Sequence, residues 1–154
     1  MTKSVGVAVV GVGFVGGQAH VPSFKKIAGS NLVVLGARTE RRVKGISEKY
    51  GVKYCLNYDE ILDDPEVDAV VLAVPTPFHY KSAMQAIEKG KHVLCEMPLA
   101  PTIGQVKDMG KAAEKNRVLL MPVLNFRFAP AYVKAKEMVE EGVIGNPVAV
   151  HFRE

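Results

Sequence analysis

The stretch Ser4–Gly16, SVGVAVVGVGFVG, decides the fold. Val5, Val7, Val9 and Val10 form a β-branched run of the kind found in strands buried on both faces. Gly11, Gly13 and Gly16 follow as G-x-G-x-x-G, where that strand should hand over to a helix. Each glycine has its own physical reason. The first permits a tight turn, the second lets backbone approach a pyrophosphate, and the third lets the helix pack closely on the strand. The first N–H groups of that helix, with the positive end of its dipole, then face the phosphates. The spacing predicts a dinucleotide-binding turn; the alternative is a glycine-rich strand-to-helix turn that holds no ligand.

Beyond this turn the chain alternates strand and helix. Asn31–Ala37 reads as the second strand, and Thr39–Tyr50 as a polar amphipathic helix with Thr39 placed to cap it. Asp59–Asp63 is a short helical turn, and Asp68–Val74 is a strand broken by Pro75-Thr76-Pro77. A helix over His79–Glu88 ends before Gly90, His92–Cys95 is a strand, and Pro101–Asn116 is a helix with proline at its first position. Val118–Met121 is a further strand, and Ala129–Glu141 a helix closed by Gly142. Alternation at these lengths predicts an α/β fold, a doubly wound parallel sheet with helices on both faces. Residues 1–145 form this domain.

Composition narrows the function classes. At 154 residues the chain can bury roughly 68–70% of its unfolded surface as one domain. Hydrophobic residues at 48% and charged residues at 23% are ordinary for a globular protein. No apolar run reaches the ~18 residues of a membrane span. The chain opens on a strand without the layout of a signal peptide, so a cytoplasmic location is expected. Cys55 and Cys95 lack C-x-x-C or zinc spacing, which points to reduced packing thiols and no metal site. The formal net charge of +4 lies entirely in residues 38–53, where Arg38, Arg41, Arg42, Lys44, Lys49 and Lys53 face only Glu40 and Glu48. Without a recognisable module or stacking aromatics, this patch is local and no nucleic-acid partner is expected.

The last residues behave differently. Val148, Val150 and Phe152 alternate with Ala149, His151 and Arg153, which is strand periodicity. Residues 146–154 read as the start of a second, truncated sheet. An apolar edge of this kind invites pairing, so the pattern predicts either a fragment of a larger enzyme or self-association through residues 147–153.

Four further motifs carry a resemblance. Ala73–His79 reads AVPTPFH, Gly90–Pro98 reads GKHVLCEMP, Asn125–Pro130 reads NFRFAP and Glu141–Pro147 reads EGVIGNP. With the glycine turn, in this order and spacing, they make the chain resemble the N-terminal domain of the Gfo/Idh/MocA oxidoreductases, the family of glucose–fructose oxidoreductase and inositol dehydrogenase. The resemblance runs from Val5 to the last residue. It implies NAD or NADP bound on a Rossmann domain, and a second α/β domain, absent from this chain, that supplies the substrate pocket for a sugar or polyol. It also implies site residues. Gly11, Gly13, Phe14, Val15 and Gly16 would cradle the pyrophosphate. Val74, Pro75, Thr76 and His79 match the family's A-x-P-x-x-x-H segment, whose backbone would line the nicotinamide side. Glu96 would lie near the nicotinamide ribose, and Asn125 and Arg127 at the junction of cofactor and substrate. His79 reads equally as a helix-start histidine bonded to backbone, and Asn125 and Arg127 as loop anchors. His20 reads as structural, and His92 and His151 fall on a buried strand and on the terminal one with no partner visible in the sequence.

Two positions depart from expectation. An NAD-binding domain usually ends its second strand with Asp or Glu, about 20 residues past the glycines, on the ribose hydroxyls. Here that position is Ala37, followed by Arg38, Thr39, Arg41 and Arg42. Losing the carboxylate removes repulsion toward a 2′-phosphate, and arginine offers charge-assisted contacts to it. NADP is therefore expected over NAD, with Arg38 on the phosphate and Thr39 and Arg42 assisting; a solvated basic helix is the plainer alternative. The second departure is Met97, which stands where the family motif E-K-P carries lysine. Methionine cannot donate a proton, so no catalytic residue is assigned in this chain, and the chain alone is expected to be inactive. Three readings follow: the nucleotide-binding domain of an oxidoreductase, a non-catalytic binding subunit or sensor, and a ligand-free interaction protein.

Overall fold

The computed structural model describes residues 4–151, and the chain divides into two compact units, Met1–Val123 and Leu124–Glu154. The first is built on six parallel strands: β1 (Val5–Val10), β2 (Ser30–Gly36), β3 (Lys53–Cys55), β4 (Ala69–Leu72), β5 (His92–Cys95) and β6 (Leu120–Pro122). Their order in the sheet is β3-β2-β1-β4-β5-β6, that of the doubly wound dinucleotide-binding fold. The expected Rossmann architecture is present.

Side-chain alternation assigns the two faces. Val7, Val9, Leu32, Leu35 and Val71 pack with Val21 of α1 (Val21–Lys26) and Val43 of α2 (Glu40–Tyr50). On the other face Ala8, Val10, Val70, Leu72, Val93 and Cys95 pack against α3 (Tyr58–Asp63), α4 (His79–Glu88) and α5 (Ile103–Asn116). Helices thus cover both faces, and β1 and β4 read as continuous apolar runs for that reason. A register shift between Val7 and Ala8 sends both Val33 and Val34 of β2 to the same core. This bulge explains why NLVVLGA shows no clean alternation.

Several boundaries differ from expectation. β3 was not legible: with three residues and a charged lysine it has too little pattern, and it is made a strand by pairing with β2. The helix expected from Pro101 begins at Ile103, because Thr102 is the cap and its Oγ1 accepts from Gln105 N at 3.3 Å. Thr39 occupies the cap position of α2 without a side-chain bond to it. The second unit holds α6 (Pro130–Glu140) after a 3-10 turn, Asn125–Phe128. The terminal strand expected over Val148–Phe152 is corrected: residues 147–151 form no strand, and Val148 is fully exposed. Alternation alone supplies no ladder partner, and Phe152 lies outside the described residues. No helix among the described residues is long and apolar enough to cross a membrane.

Candidate dinucleotide-binding site

Ladder bonds continue past the strand ends and line up one rim of the sheet. Gly11 N donates to Gly36 O, Ala73 N to Val10 O and Glu96 N to Leu72 O, at 2.9, 2.8 and 3.0 Å. The carboxyl ends of β2, β1, β4 and β5 are therefore level. The strand order reverses between β1 and β4, and the crevice outside that point is where ligands of such sheets collect.

The three glycines of the turn after β1 meet different surroundings. Gly11 has φ +94°, and a Cβ on it would strike the Ala73 carbonyl. A Cβ on Gly16 would strike the Gly11 carbonyl oxygen. Both are glycine because the protein's own backbone demands it. Gly13 is different: it has no positive φ, and a Cβ there would meet nothing within 4 Å. Phe14 and Val15 beside it are exposed, Phe14 by 79%. Helical backbone follows at once, with Gly17 N donating to Gly13 O at 2.9 Å and a π-helical turn over Gly16–His20 leading into α1. The N–H groups at the start of such a helix have no partner within it.

The basic stretch flanks this turn on the β2 side. Arg38, Thr39 and Arg42 are exposed. Among the described residues Arg38, Arg41 and Arg42 make no ion pair. Glu40, the nearest acid, is taken by Tyr54, whose hydroxyl donates to it at 2.7 Å, and lies 4.0 Å from Lys44. Glu40 holds the Tyr54 phenol above its usual range by accepting that bond. The Arg38 guanidinium lies over the Phe78 ring, 5.5 Å from its centroid. Phe78 is half-exposed on the 3-10 turn Thr76–Phe78 after β4. Sequence reading missed it, since a lone phenylalanine carries no signal of what stacks on it.

On the β4–β5 side the loops are held by buried and half-buried histidine contacts. His79 is 1% exposed, and its ring nitrogens reach Val74 O and Pro98 O at 2.7 Å each. It ties together the loops after β4 and β5 from behind, so its contribution to the crevice runs through backbone it holds. Val74 and Thr76 are half-buried and Pro75 is exposed. Met97 is 48% exposed, and the Met97–Pro98 peptide is cis. His20, at the end of the π-helical turn, donates from Nε2 to Glu96 Oε1 at 2.7 Å. The pair is largely shielded, with side-chain exposures of 12% and 22%. No pattern linked these residues, which are 76 positions apart. His92 accepts from Leu119 N at 2.9 Å through Nδ1, a partner equally absent from the sequence pattern. Asn125 and Arg127 lie in the 3-10 turn of the second unit and are exposed.

Residues 5–123 match the Gfo/Idh/MocA family model, described as an oxidoreductase family with an NAD-binding Rossmann fold. The chain belongs to the Gfo/Idh/MocA family. It is 36% identical over 150 residues to an inositol 2-dehydrogenase of Mycolicibacterium smegmatis, covering 94% of this chain and 43% of that protein. With a myo-inositol 2-dehydrogenase of Thermotoga maritima it shares 34% over 142 residues, 92% of this chain and 42% of that one. Among solved structures, a 3-ketoreductase from Actinomadura kijaniata in complex with NADP and TDP-benzene superposes with a TM-score of 0.86 at 27% identity, over 94% of this chain and 44% of that one. An NAD binding oxidoreductase from Klebsiella pneumoniae gives 0.85 at 32% identity, over 95% and 41%. This Gfo/Idh/MocA chain therefore spans well under half the length of the relatives it matches. It is the family's NAD(P)-binding Rossmann domain, as the motifs implied, and the comparisons favour this oxidoreductase reading over a free-standing sensor or interaction protein.

Proposed function

We propose that this domain binds NADP in preference to NAD, and that in a protein of full family length it serves hydride transfer to or from a carbon of a sugar or polyol. Gly13 carries the binding reading. Neither φ nor any neighbour among the described residues calls for glycine there, and at the switch-point crevice the open backbone of Gly13 fits a pyrophosphate. Gly11 and Gly16 shape the turn, and the backbone of Gly13, Phe14, Val15 and Gly16 faces the phosphates.

The preference for the 2′-phosphate rests on charge. Ala37 replaces the acid that would hold a free ribose, and among the described residues Arg38, with Thr39 and Arg42 following it in the chain, makes no ion pair with a carboxylate. Glu40, which could oppose them, is occupied by Tyr54. Val74, Pro75, Thr76, Glu96 and Met97 border the nicotinamide half, and His79 holds the backbones of Val74 and of Pro98, the residue after Met97, in place. The bound cofactor supplies or accepts hydride at its nicotinamide ring. Met97 offers no proton, so the proton that accompanies hydride transfer moves through other groups. The substrate class draws on the relatives, which include dehydrogenases named for inositol and a 3-ketoreductase.

Paired calorimetric titration with NADPH and NADH tests this. The expected result is NADPH bound at least about tenfold tighter, ~1.4 kcal/mol. Equal affinities overturn the preference, and no binding of either overturns the reading of the crevice.

A further inference from the structure

His20 and Glu96 enter the crevice from opposite sides of the switch point. His20 belongs to the helix that starts at the glycine turn, and Glu96 follows β5, two strands away. With the pyrophosphate at the turn after β1 and the arginines after β2, the adenosine half lies toward β2. The other half then extends over the ends of β4 and β5, where Glu96 sits. A carboxylate has two oxygens, each with room for more than one donor. Among the described residues its only side-chain partner is His20, which takes Oε1 at 2.7 Å and leaves Oε2 for a ribose hydroxyl. The His20 ring is itself stacked near Phe24, with centroids 6.4 Å apart, which restricts its rotation.

We infer that His20 is a positioning residue: its bond to Glu96 aims that carboxylate at the ribose of the nicotinamide half, so that the glycine-turn helix and the end of β5 grip the dinucleotide as one unit. The inference rests on the proposed dinucleotide site. It deepens that site by assigning a specific role to a residue that touches no part of the ligand. A charge-assisted bond in a shielded place is strong enough for this, because loss of one partner leaves the other both free to rotate and poorly solvated.

The test compares a whole dinucleotide with its adenosine half on the full chain. NADPH is paired with 2′,5′-ADP, or NADH with ADP, according to which cofactor the unsubstituted chain binds more tightly. For His20→Ala the dinucleotide Kd is expected to rise about tenfold or more, while the half-molecule Kd stays within about twofold. His20→Gln, whose amide N–H still donates, should recover most of the loss, and Glu96→Gln should reproduce the selective loss without removing side-chain volume. If His20→Ala weakens both ligands alike, or neither, His20 is only a packing residue and the inference fails. If His20→Ala does not fold, the Glu96→Gln result decides on the same terms. Failure of the unsubstituted chain to bind either ligand is a separate outcome, which removes the dinucleotide site and this inference with it.

Discussion

Arg38 stacks on Phe78, although the two residues leave strands that are not neighbours. Arg38 follows β2 and Phe78 follows β4, with β1 between them. The loops that flank the glycine turn are thereby joined by a guanidinium on an aromatic face. Such a contact is worth roughly 0.5–1 kcal/mol at an exposed site. Its larger consequence is orientation, since a stacked guanidinium keeps its edge free for bidentate contact with a phosphate.

Arg38→Ala should therefore raise the Kd for NADPH about tenfold to a hundredfold, in line with ~1.5–3 kcal/mol for a hydrogen bond to a charged group. The Kd for NADH should change much less. Phe78→Ala should weaken NADPH by about twofold to fivefold, and the effect should vanish in the Arg38→Ala background. Calorimetry on the four proteins checks both statements. An equal loss for the two cofactors sinks the 2′-phosphate assignment.

Gly13 and Gly16 should separate binding from stability. Gly13→Val places its side chain in open space, so it should abolish binding of either cofactor while leaving Tm nearly unchanged. Gly16→Val drives a side chain into the Gly11 carbonyl and should cost about 1–3 kcal/mol by overpacking. That corresponds to a fall in Tm of very roughly 2–4 °C per kcal/mol. Scanning calorimetry with and without cofactor reads both. Retained binding in Gly13→Val would remove the pyrophosphate site.

His79→Ala should destabilise the domain by roughly 2–5 kcal/mol, since it leaves a cavity and strips two carbonyls of their partner. A loss under about 0.5 kcal/mol, the range of a plain surface site, would show that His79 does not hold the loops together.

Cys95 should be inert in the native state. Burial pushes its thiol from the ordinary value of 9.0 up to about 12, with Glu96 adding a smaller push. The stabilisation from keeping this group neutral is full below pH 9.0 and is lost as pH climbs through about 12. A disulfide reagent at pH 8 should label the partly exposed Cys55 and spare Cys95 until the protein is unfolded. Rapid labelling of both thiols in native buffer would contradict the burial of Cys95.

Lys53 and Asp64 form a pair at 2.8 Å that should show on the acid side. The Lys53 bond, helped by one from the Glu66 amide, holds the Asp64 carboxyl below its usual range. The contribution is present above the ordinary carboxylate pKa and is lost as pH falls through the lowered value. Asp64→Asn should flatten the acid limb of a Tm-against-pH curve slightly and leave neutral Tm nearly unchanged. An unchanged acid limb would show the pair to be energetically silent.

The order of elements and the central strands were legible because local rules act alone there. Buried parallel strands write themselves as valine runs, His79–Glu88 and His92–Cys95 fall where their pattern places them, and Gly11 needs a conformation that only glycine adopts readily. The basic stretch that holds Arg38 is equally legible, since charge position is read directly from the residues. β3 and the bulge at Val33 were not legible, since each exists through pairing with a neighbour strand rather than through its own propensity.

The chain's local chemistry settled the fold, the glycine turn and the basic stretch beside it, because strand period, turn sterics and charge are properties of neighbouring residues. Tertiary structure alone decided that Arg38 rests on Phe78, that His79 faces two backbone carbonyls, and that His20 meets Glu96. These contacts join residues 40, 5 to 19, and 76 positions apart. They arise because the sheet brings the ends of β2, β1, β4 and β5 to one rim, and no pattern along the chain encodes which side chains meet there.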